Sequence, residues 1–349
     1  MSSNGMSRPA GMWAALGGAA LFGLGTPLAK LLVARVSPLM LAALLYLGCG
    51  VGLLVYRRIR RAPAGRLAPG DTPWWIAAIA FGGVLAPALL MWGLRGTSAF
   101  GASLLLNAET VFTVLIARLA FREHIGLRIA AGIAAIVAGA VIVGWRDAGG
   151  LGGIWPSLAI AGACLAWAID NNLTRRVALA DASWLASMKG LAAGSVNLVL
   201  ALAQGSSVPP WPTTAFAMAV GLVSYGASLT LFVQALRSLG TARTAAYFAV
   251  APFIGAAAAA ALGAPVSMPL VAAGALMAIG VWLHAAERHE HAHTHAPLEH
   301  DHTHVHDEHH GHLHDPPVPP GVRHSHRHRH EPMTHRHAHF PDAHHRHPH

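Results

Sequence analysis

Long apolar stretches, separated by short polar or Pro/Gly-rich breaks, fill residues 11–286. A membrane helix needs about 20 mostly apolar residues to cross ~30 Å of hydrocarbon. Ten stretches meet or approach that length: 11–33, 38–56, 74–94, 98–117, 127–145, 154–173, 184–204, 213–235, 243–262 and 267–286. The clearest breaks are RRIRRAPAGRLAPGDTP at 57–73 and GSSVPPWPTT at 205–214. Around Gly263–Ala264–Pro265 the chain stays apolar, and Pro265 and Pro269 predict a turn. The pattern predicts an all-α integral membrane protein with ten transmembrane helices. After residue 286 the apolar pattern ends, and residues 287–349 read as a disordered tail.

Loop charge sets the orientation. With the N-terminus inside, the cytoplasmic side collects Arg8; Arg57, Arg58, Arg60, Arg61 and Arg66; Arg118, Arg122 and Arg128; Arg175 and Arg176; Arg237 and Arg243; and Arg288. The outside collects Lys30, Arg35, Arg95 and Arg146. This bias predicts cytoplasmic termini on both ends of a multi-pass protein of the inner membrane. The first span lacks a small-residue cleavage site and runs on to Lys30 and Arg35, so it reads as a retained helix. Trp13, Trp74, Trp75, Trp145 and Trp155 fall near span ends, as an interfacial aromatic belt requires.

The apolar body repeats itself at an offset near 142 residues. MWGLRGTSAFGASLLLNAET at 91–110 lies over VQALRSLGTARTAAYFAVAP at 233–252, with Leu94–Arg95 on Leu236–Arg237. FREHIGLRIAAG at 121–132 lies over LGAPVSMPLVAAG at 262–274. FGLGTPLAK at 22–30 lies over WAIDNNLTR at 167–175 after a shift of about three residues. Each half then holds five helices. Five is odd, so the second half crosses in the opposite sense, as in the inverted repeats of many secondary transporters, whose substrates bind between the halves. The division is an N-terminal cytoplasmic segment at 1–10, repeats at 11–146 and 150–286, and the tail at 287–349.

Composition narrows the class further. The chain is 54% hydrophobic and 11% charged, with a mean hydropathy of +0.46. Soluble domains carry about 25% charged residues, so a soluble globular protein, a coiled coil and a nucleic-acid-binding domain are excluded. The net charge of +9 divides unevenly. Residues 1–286 hold 18 Lys+Arg against 6 Asp+Glu, whereas 287–349 hold 6 against 9 and carry 23 of the 25 His. Cys49 and Cys164 sit in apolar runs and read as small buried side chains.

These residues resemble a known family. Ten spans in two five-helix halves, the FGLGTPLAK ending of the first span, and NAETVFTVLIARLAFREHIG with Glu123 just past a helix end are similar to the EamA-type permeases of the drug/metabolite transporter superfamily. LAWAIDNNLTRR at 165–176, together with the His-x-His tail, resembles a bacterial subgroup of them. The resemblance covers about residues 11–286 and implies a permease for a small metabolite or drug-like solute. It departs at Pro265, which stands where the second half would duplicate Glu123.

Ionisable groups inside a span are costly and mark function by default. Glu109 lies midway along the fourth span, and Lys189 lies inside the seventh. Asp170–Asn171–Asn172 lies near the end of the sixth; three successive polar residues cannot face one direction on a helix, so some line a cavity, a loosened turn or a hydrated helix end. Asn107, Thr26 beside Pro27, Asn197, Gln234, Tyr225 and Tyr247 are softer candidates. The structural alternative for each is packing: a protonated or paired Glu109 that locks two helices serves as well as a functional one. The predicted translocation residues are Glu109, Asn107, Lys189, Asp170, Asn171, Thr26 and Tyr247. His124 lies in a loop and His284 near a helix end, and neither is read as part of a metal site.

The tail offers a second chemistry. Alternating His-x-His in extended chain puts imidazoles on one side, and imidazole suits Zn, Ni, Cu and Co. The candidate ligands are His291, His293, His295, His300, His302, His304, His306, His324, His326, His328 and His330. Near pH 6 the same residues become a polycation able to meet anionic lipid. The partners read from the sequence are therefore a small-molecule solute, the lipid bilayer and divalent metal ions. A Zn, Ni or Co efflux transporter or metal-sensing membrane protein is the alternative reading, opposed by the two acids and absent His/Asp pairs of the spans. No GxxxxGK[ST] motif is present to drive transport with ATP.

Overall fold

The computed structural model describes residues 8–62, 65, 67, 70–121, 126–147, 154–177, 181–239 and 241–285, together with 290–295, 298–304, 324–330 and 333–338. The chain divides into two compact units, Met1–Glu287 and Arg288–His349.

The first unit is helical. Its first half runs through α1 (Arg8–Val33), α2 (Pro38–Ile59), α3 (Thr72–Ala78), a π-helical segment (Ile79–Leu85), α4 (Ala86–Gly96), α5 (Ala99–Leu105), α6 (Ala108–Phe121) and α7 (Leu127–Asp147). Its second half repeats that order: α8 (Trp155–Val177), α9 (Ala182–Ala203), α10 (Trp211–Gly221), a second π-helical segment (Leu222–Ala227), α11 (Ser228–Leu239), α12 (Thr241–Phe248), α13 (Ala251–Ala261) and α14 (Met268–Ala285). The π segments begin at Ile79 and Leu222, 143 positions apart, close to the offset of the sequence repeat. The α5–α6 break at Leu106–Asn107 has its counterpart at Ala249–Val250.

Ten crossings are expected from the sequence, and among the described residues seven helical stretches are long and apolar enough to cross a membrane: Pro9–Val33, Pro38–Ile59, Thr72–Gly96, Ala99–Ile116, Leu127–Trp145, Ser183–Ala203 and Trp211–Ala235. The other three fall short for physical reasons. The end of α8 is polar, with Asp170, Asn171, Asn172, Arg175 and Arg176. The last two apolar helices, Ala246–Ala261 and Met268–Leu283, are short. The turn predicted between them is present, and Gly263 takes the left-handed φ of +88° that glycine tolerates without strain.

Helices of one half pack on helices of the other. α1 lies against α11 and α13, and α8 correspondingly lies against α4 and α6, while α2 packs on α9 and α7 on α14. Without a hydrophobic drive between helices in lipid, close packing depends on small residues. The α2–α9 contact, the most extensive between the halves, expresses this. A Cβ on Gly190 would lie 2.7 Å from the Gly50 nitrogen and 2.8 Å from the Tyr46 carbonyl; one on Gly194 would lie 2.7 Å from the Leu47 nitrogen. The core is built on this contact, with Met40, Leu41, Leu45, Leu90, Met91 and Leu94 fully buried.

The second unit departs from the expected disorder over four segments. β1 (Glu290–His295) pairs antiparallel with β4 (Met333–Ala338), and β2 (Leu298–His304) pairs antiparallel with β3 (His324–His330). The alternation of His with other residues has the two-residue period of a strand, and the strand pairing follows it. The register sets His291 opposite His337, His293 opposite His335, His300 opposite His328, His302 opposite His326 and His304 opposite His324. His295 faces Met333, and His330 faces Leu298. His306, Glu123 and His124 lie outside the described residues.

Candidate functional site

The polar centre of the first unit draws its charged groups from α8 and α9, on either side of the first π segment. Asp170 stands seven residues before the end of α8, and Lys189 stands seven residues after the start of α9. The two helices both pack on the first π segment, and the long Lys189 side chain spans from α9 to Asp170 on α8 beside it. The Lys189 ammonium pairs with Asp170 Oδ2, and the Thr174 hydroxyl donates to Oδ1 at 3.0 Å. The two charged side chains are only 17% and 8% exposed. Each is strongly destabilising without the other, because a stranded charge retains its desolvation cost.

Successive positions on a helix point about 100° apart, and the three polar residues of α8 therefore meet three different surroundings. Asp170 meets α9. The Asn171 amide donates to Glu109 Oε1 on α6 at 2.8 Å. The Asn172 amide donates back to the Ala168 carbonyl of its own helix at 2.8 Å. Glu109 sits in the first turn of α6, just beyond the Leu106–Asn107 break.

The wall facing Asp170 is the first π segment. Pro87 has no N–H, so the carbonyls one turn before it lose their helical donor. Side chains replace it. The Tyr46 hydroxyl on α2 donates to the Gly82 carbonyl at 2.8 Å, and the Trp167 indole on α8 donates to the same oxygen at 3.1 Å. The Asn197 amide on α9 donates to the Gly83 carbonyl at 3.1 Å. A Cβ on Gly82 would overlap the Asp170 carboxylate, so glycine at this position is what lets the ion pair sit against the loosened helix. Tyr46 also meets Tyr225 of the second π segment, with ring centroids 5.7 Å apart. Tyr225 in turn stands edge-on to Phe22 at 6.0 Å.

A second ion pair ties α2 to α9 at one end. Arg57, buried in the last turn of α2, pairs with Asp181, the N-cap of α9, and also donates to the Ser183 hydroxyl. Partial burial pushes the Asp181 carboxyl up. The Ser183 hydroxyl, the Trp184 N–H at 2.8 Å and the Arg57 guanidinium outweigh it and hold the group below the ordinary carboxylate value.

Of the residues singled out in the sequence, Glu109, Asp170, Asn171 and Lys189 come together on α6, α8 and α9. Asn107, Thr26 and Tyr247 are placed elsewhere. Asn107 is buried and donates to the Leu104 carbonyl at 2.9 Å, closing the end of α5. Thr26 is buried beside Pro27 in α1. Tyr247 packs in a small apolar cluster with Ala14, Ala15 and Ala235. The tail histidines 291, 293, 295, 300, 302, 304, 324, 326, 328 and 330 lie on β1, β2 and β3. Tyr46, Trp167, Thr174 and the Arg57–Asp181 pair escaped the sequence reading. For the central pair the available signal was the opposite charge of Asp170 and Lys189 inside apolar runs. Among the described residues, no group of three or more His, Cys, Asp or Glu is arranged to hold a metal ion.

Residues 9–145 match the EamA-like transporter family. The chain is also 27% identical, over 255 residues, to a protein described as an uncharacterized transporter of Methanothermobacter thermautotrophicus, covering 67% of this chain and 74% of that one. A crystal structure of another protein superposes with a TM-score of 0.60 at 22% identity, over 78% of this chain and 95% of that chain; this likeness shows the fold alone. With these matches, the apolar helices make the chain a multi-pass membrane protein.

The central pair yields a stability prediction. Asp170→Asn alone and Lys189→Met alone should each cost about 3–5 kcal/mol, the range for breaking a buried pair. The Asp170→Asn/Lys189→Met double variant should cost clearly less than the sum of the two. Thermal unfolding of the purified proteins in detergent measures this coupling, and additive losses would show that the two charges do not depend on each other.

Proposed function

We propose that this protein is a secondary transporter of the EamA-like family that moves a small metabolite or drug-like solute across the cytoplasmic membrane by alternating access. Residues 11–146 and 150–286 act as two five-crossing repeats of opposite sense, with both termini in the cytoplasm. The single observation that carries this reading is the Asp170–Lys189 ion pair against the π segment at Gly82–Gly83, with the Asn171–Glu109 hydrogen bond starting from the next position of α8. Ionisable side chains at membrane depth are costly and belong to translocation paths by default. π-helical segments favour functional sites because they leave backbone groups out of the regular ladder. The repeated element order, with a π segment at the same place in each half, supports a rocking of matched halves about that centre.

Within this scheme Asp170 and Lys189 offer opposite charges to a polar solute, while Asn171 positions Glu109. Asn107, Thr26 and Tyr247 shape the surrounding helices. The experiment is flux of a small-solute panel in proteoliposomes, comparing wild type with Glu109→Gln. The variant should express and insert normally and lose at least tenfold in flux of the transported solute. Full flux would make Glu109 a packing residue, and loss of insertion together with flux would make it a helix lock.

The tail is proposed to bind Zn, Ni, Co or Cu through its histidines, supported by the register that sets five His–His pairs across the two ribbons. Deleting residues 289–349 should remove most Zn or Ni binding at pH 7.5 by calorimetry and leave insertion and solute flux intact. In the full chain, binding should weaken towards pH 6, because protons compete for imidazoles whose free pKa is about 6.5. Unchanged metal stoichiometry after truncation would place the ligands in the helical body.

A further inference from the structure

Beside the Arg57–Asp181 pair lies a cavity of about 140 Å³ between α2, α9 and α11. Its polar wall is Tyr56, Asp181, Ser183, Thr230 and Gln234, and its apolar side comes from the leucine and valine side chains of α11. Asp181 is the one acid of this wall. Its carboxylate is used unevenly: Arg57, the Ser183 hydroxyl and the Trp184 N–H all reach Oδ1. Among the described residues, Oδ2 takes no hydrogen bond. Inward from the cavity, Ala186 of its wall joins Cys49 and Leu53 in a small apolar cluster against Tyr225. Tyr225 meets Tyr46, whose hydroxyl binds the Gly82 carbonyl beside Asp170. The cavity is thus connected by side-chain contacts to the polar centre, with an apolar plug between them.

We propose that this cavity is a binding site for a small primary alkylammonium solute, held by Asp181 Oδ2, and that the bound cation competes with Arg57 and so loosens the α2–α9 latch. An ammonium carries three donors and no acceptor. Asp181 Oδ2 takes one, the Thr230 hydroxyl oxygen accepts a second, and the third remains with water. The leucine and valine side of the cavity receives the alkyl chain. An anion meets the ionised Asp181 and is rejected. Arg57 and the solute draw on one carboxylate, so occupancy of one weakens the other. The site deepens the transporter reading and rests on it only for the role of entrance; binding itself does not depend on transport.

The test uses the purified full-length protein at pH 7.5 and low salt, with n-butylammonium as probe and n-butyrate as its anionic counterpart, followed by calorimetry. Wild type should bind butylammonium saturably and not bind butyrate. Asp181→Asn should weaken binding at least tenfold. Gln234→Lys should do the same by placing a tethered ammonium in the cavity that occupies Asp181 in the solute's stead while keeping the Asp181 carboxylate itself, which keeps the test decisive where Asp181→Asn unfolds. No saturable butylammonium binding to wild type, equal binding of butyrate, or wild-type affinity in Gln234→Lys would overturn the site. Flux of labelled butylammonium into proteoliposomes separates the two levels: binding without flux removes the role as entrance and leaves the site, whereas flux unaltered by Gln234→Lys leaves transport and removes the site.

Discussion

The close approach of α2 and α9 is the constraint on which the rest of the body depends. Gly50, Gly190 and Gly194 let the two backbones meet where any side chain would strike backbone atoms. That contact joins the two halves, since α2 belongs to the first and α9 to the second. It also fixes the polar centre. Tyr46, whose own carbonyl lies against Gly190, carries the hydroxyl that binds Gly82, while Lys189 stands one residue before Gly190 and reaches Asp170. Moving the helices apart by the width of a methyl group would displace both groups from their partners.

A second dependence follows from Pro87. Its missing N–H opens the helix at Gly82–Gly83, and donors from α2, α8 and α9 take the freed carbonyls. Three helices are therefore tied to one weak point in a fourth. The corresponding π segment at Leu222–Ala227 has no proline after it, and its connection to the first runs through Tyr225 and Tyr46. The two halves share an architecture but are not equivalent at the centre: the ion pair sits against the first π segment, and the aromatic contact against the second.

Much of the fold was legible because apolar runs and their breaks are a coarse, strong signal. The repeat was readable for the same reason, and so were Glu109, Asp170, Asn171 and Lys189, since a charged or polar residue stands out in an apolar run. Their pairing was not read. It depends on the π segment that packs against both α8 and α9, and no local pattern in the chain marks that segment as lying beside both. The π segment, the donors Tyr46 and Trp167, and the Arg57–Asp181 latch were hidden because tyrosine, tryptophan and terminal arginine in membrane helices ordinarily belong to interfaces. Asn107 and Tyr247 showed the opposite failure: polar groups in a span that serve a helix end and an apolar cluster. In the tail, composition predicted disorder while the two-residue alternation of His matched a strand, and the latter describes the four paired segments.

The account stands or falls on whether the α2–α9 contact governs the polar centre. The direct measurement is solute flux per folded molecule in proteoliposomes, together with thermal unfolding in detergent, for Gly190→Ala beside Gly17→Ala. Gly17 is a helical glycine where a Cβ would make ordinary contact, 3.6 Å from Leu231. The account predicts that Gly17→Ala keeps both wild-type flux and stability, whereas Gly190→Ala lowers the unfolding temperature by several degrees and reduces flux at least tenfold in the molecules that remain folded. Wild-type flux and stability in Gly190→Ala would contradict it.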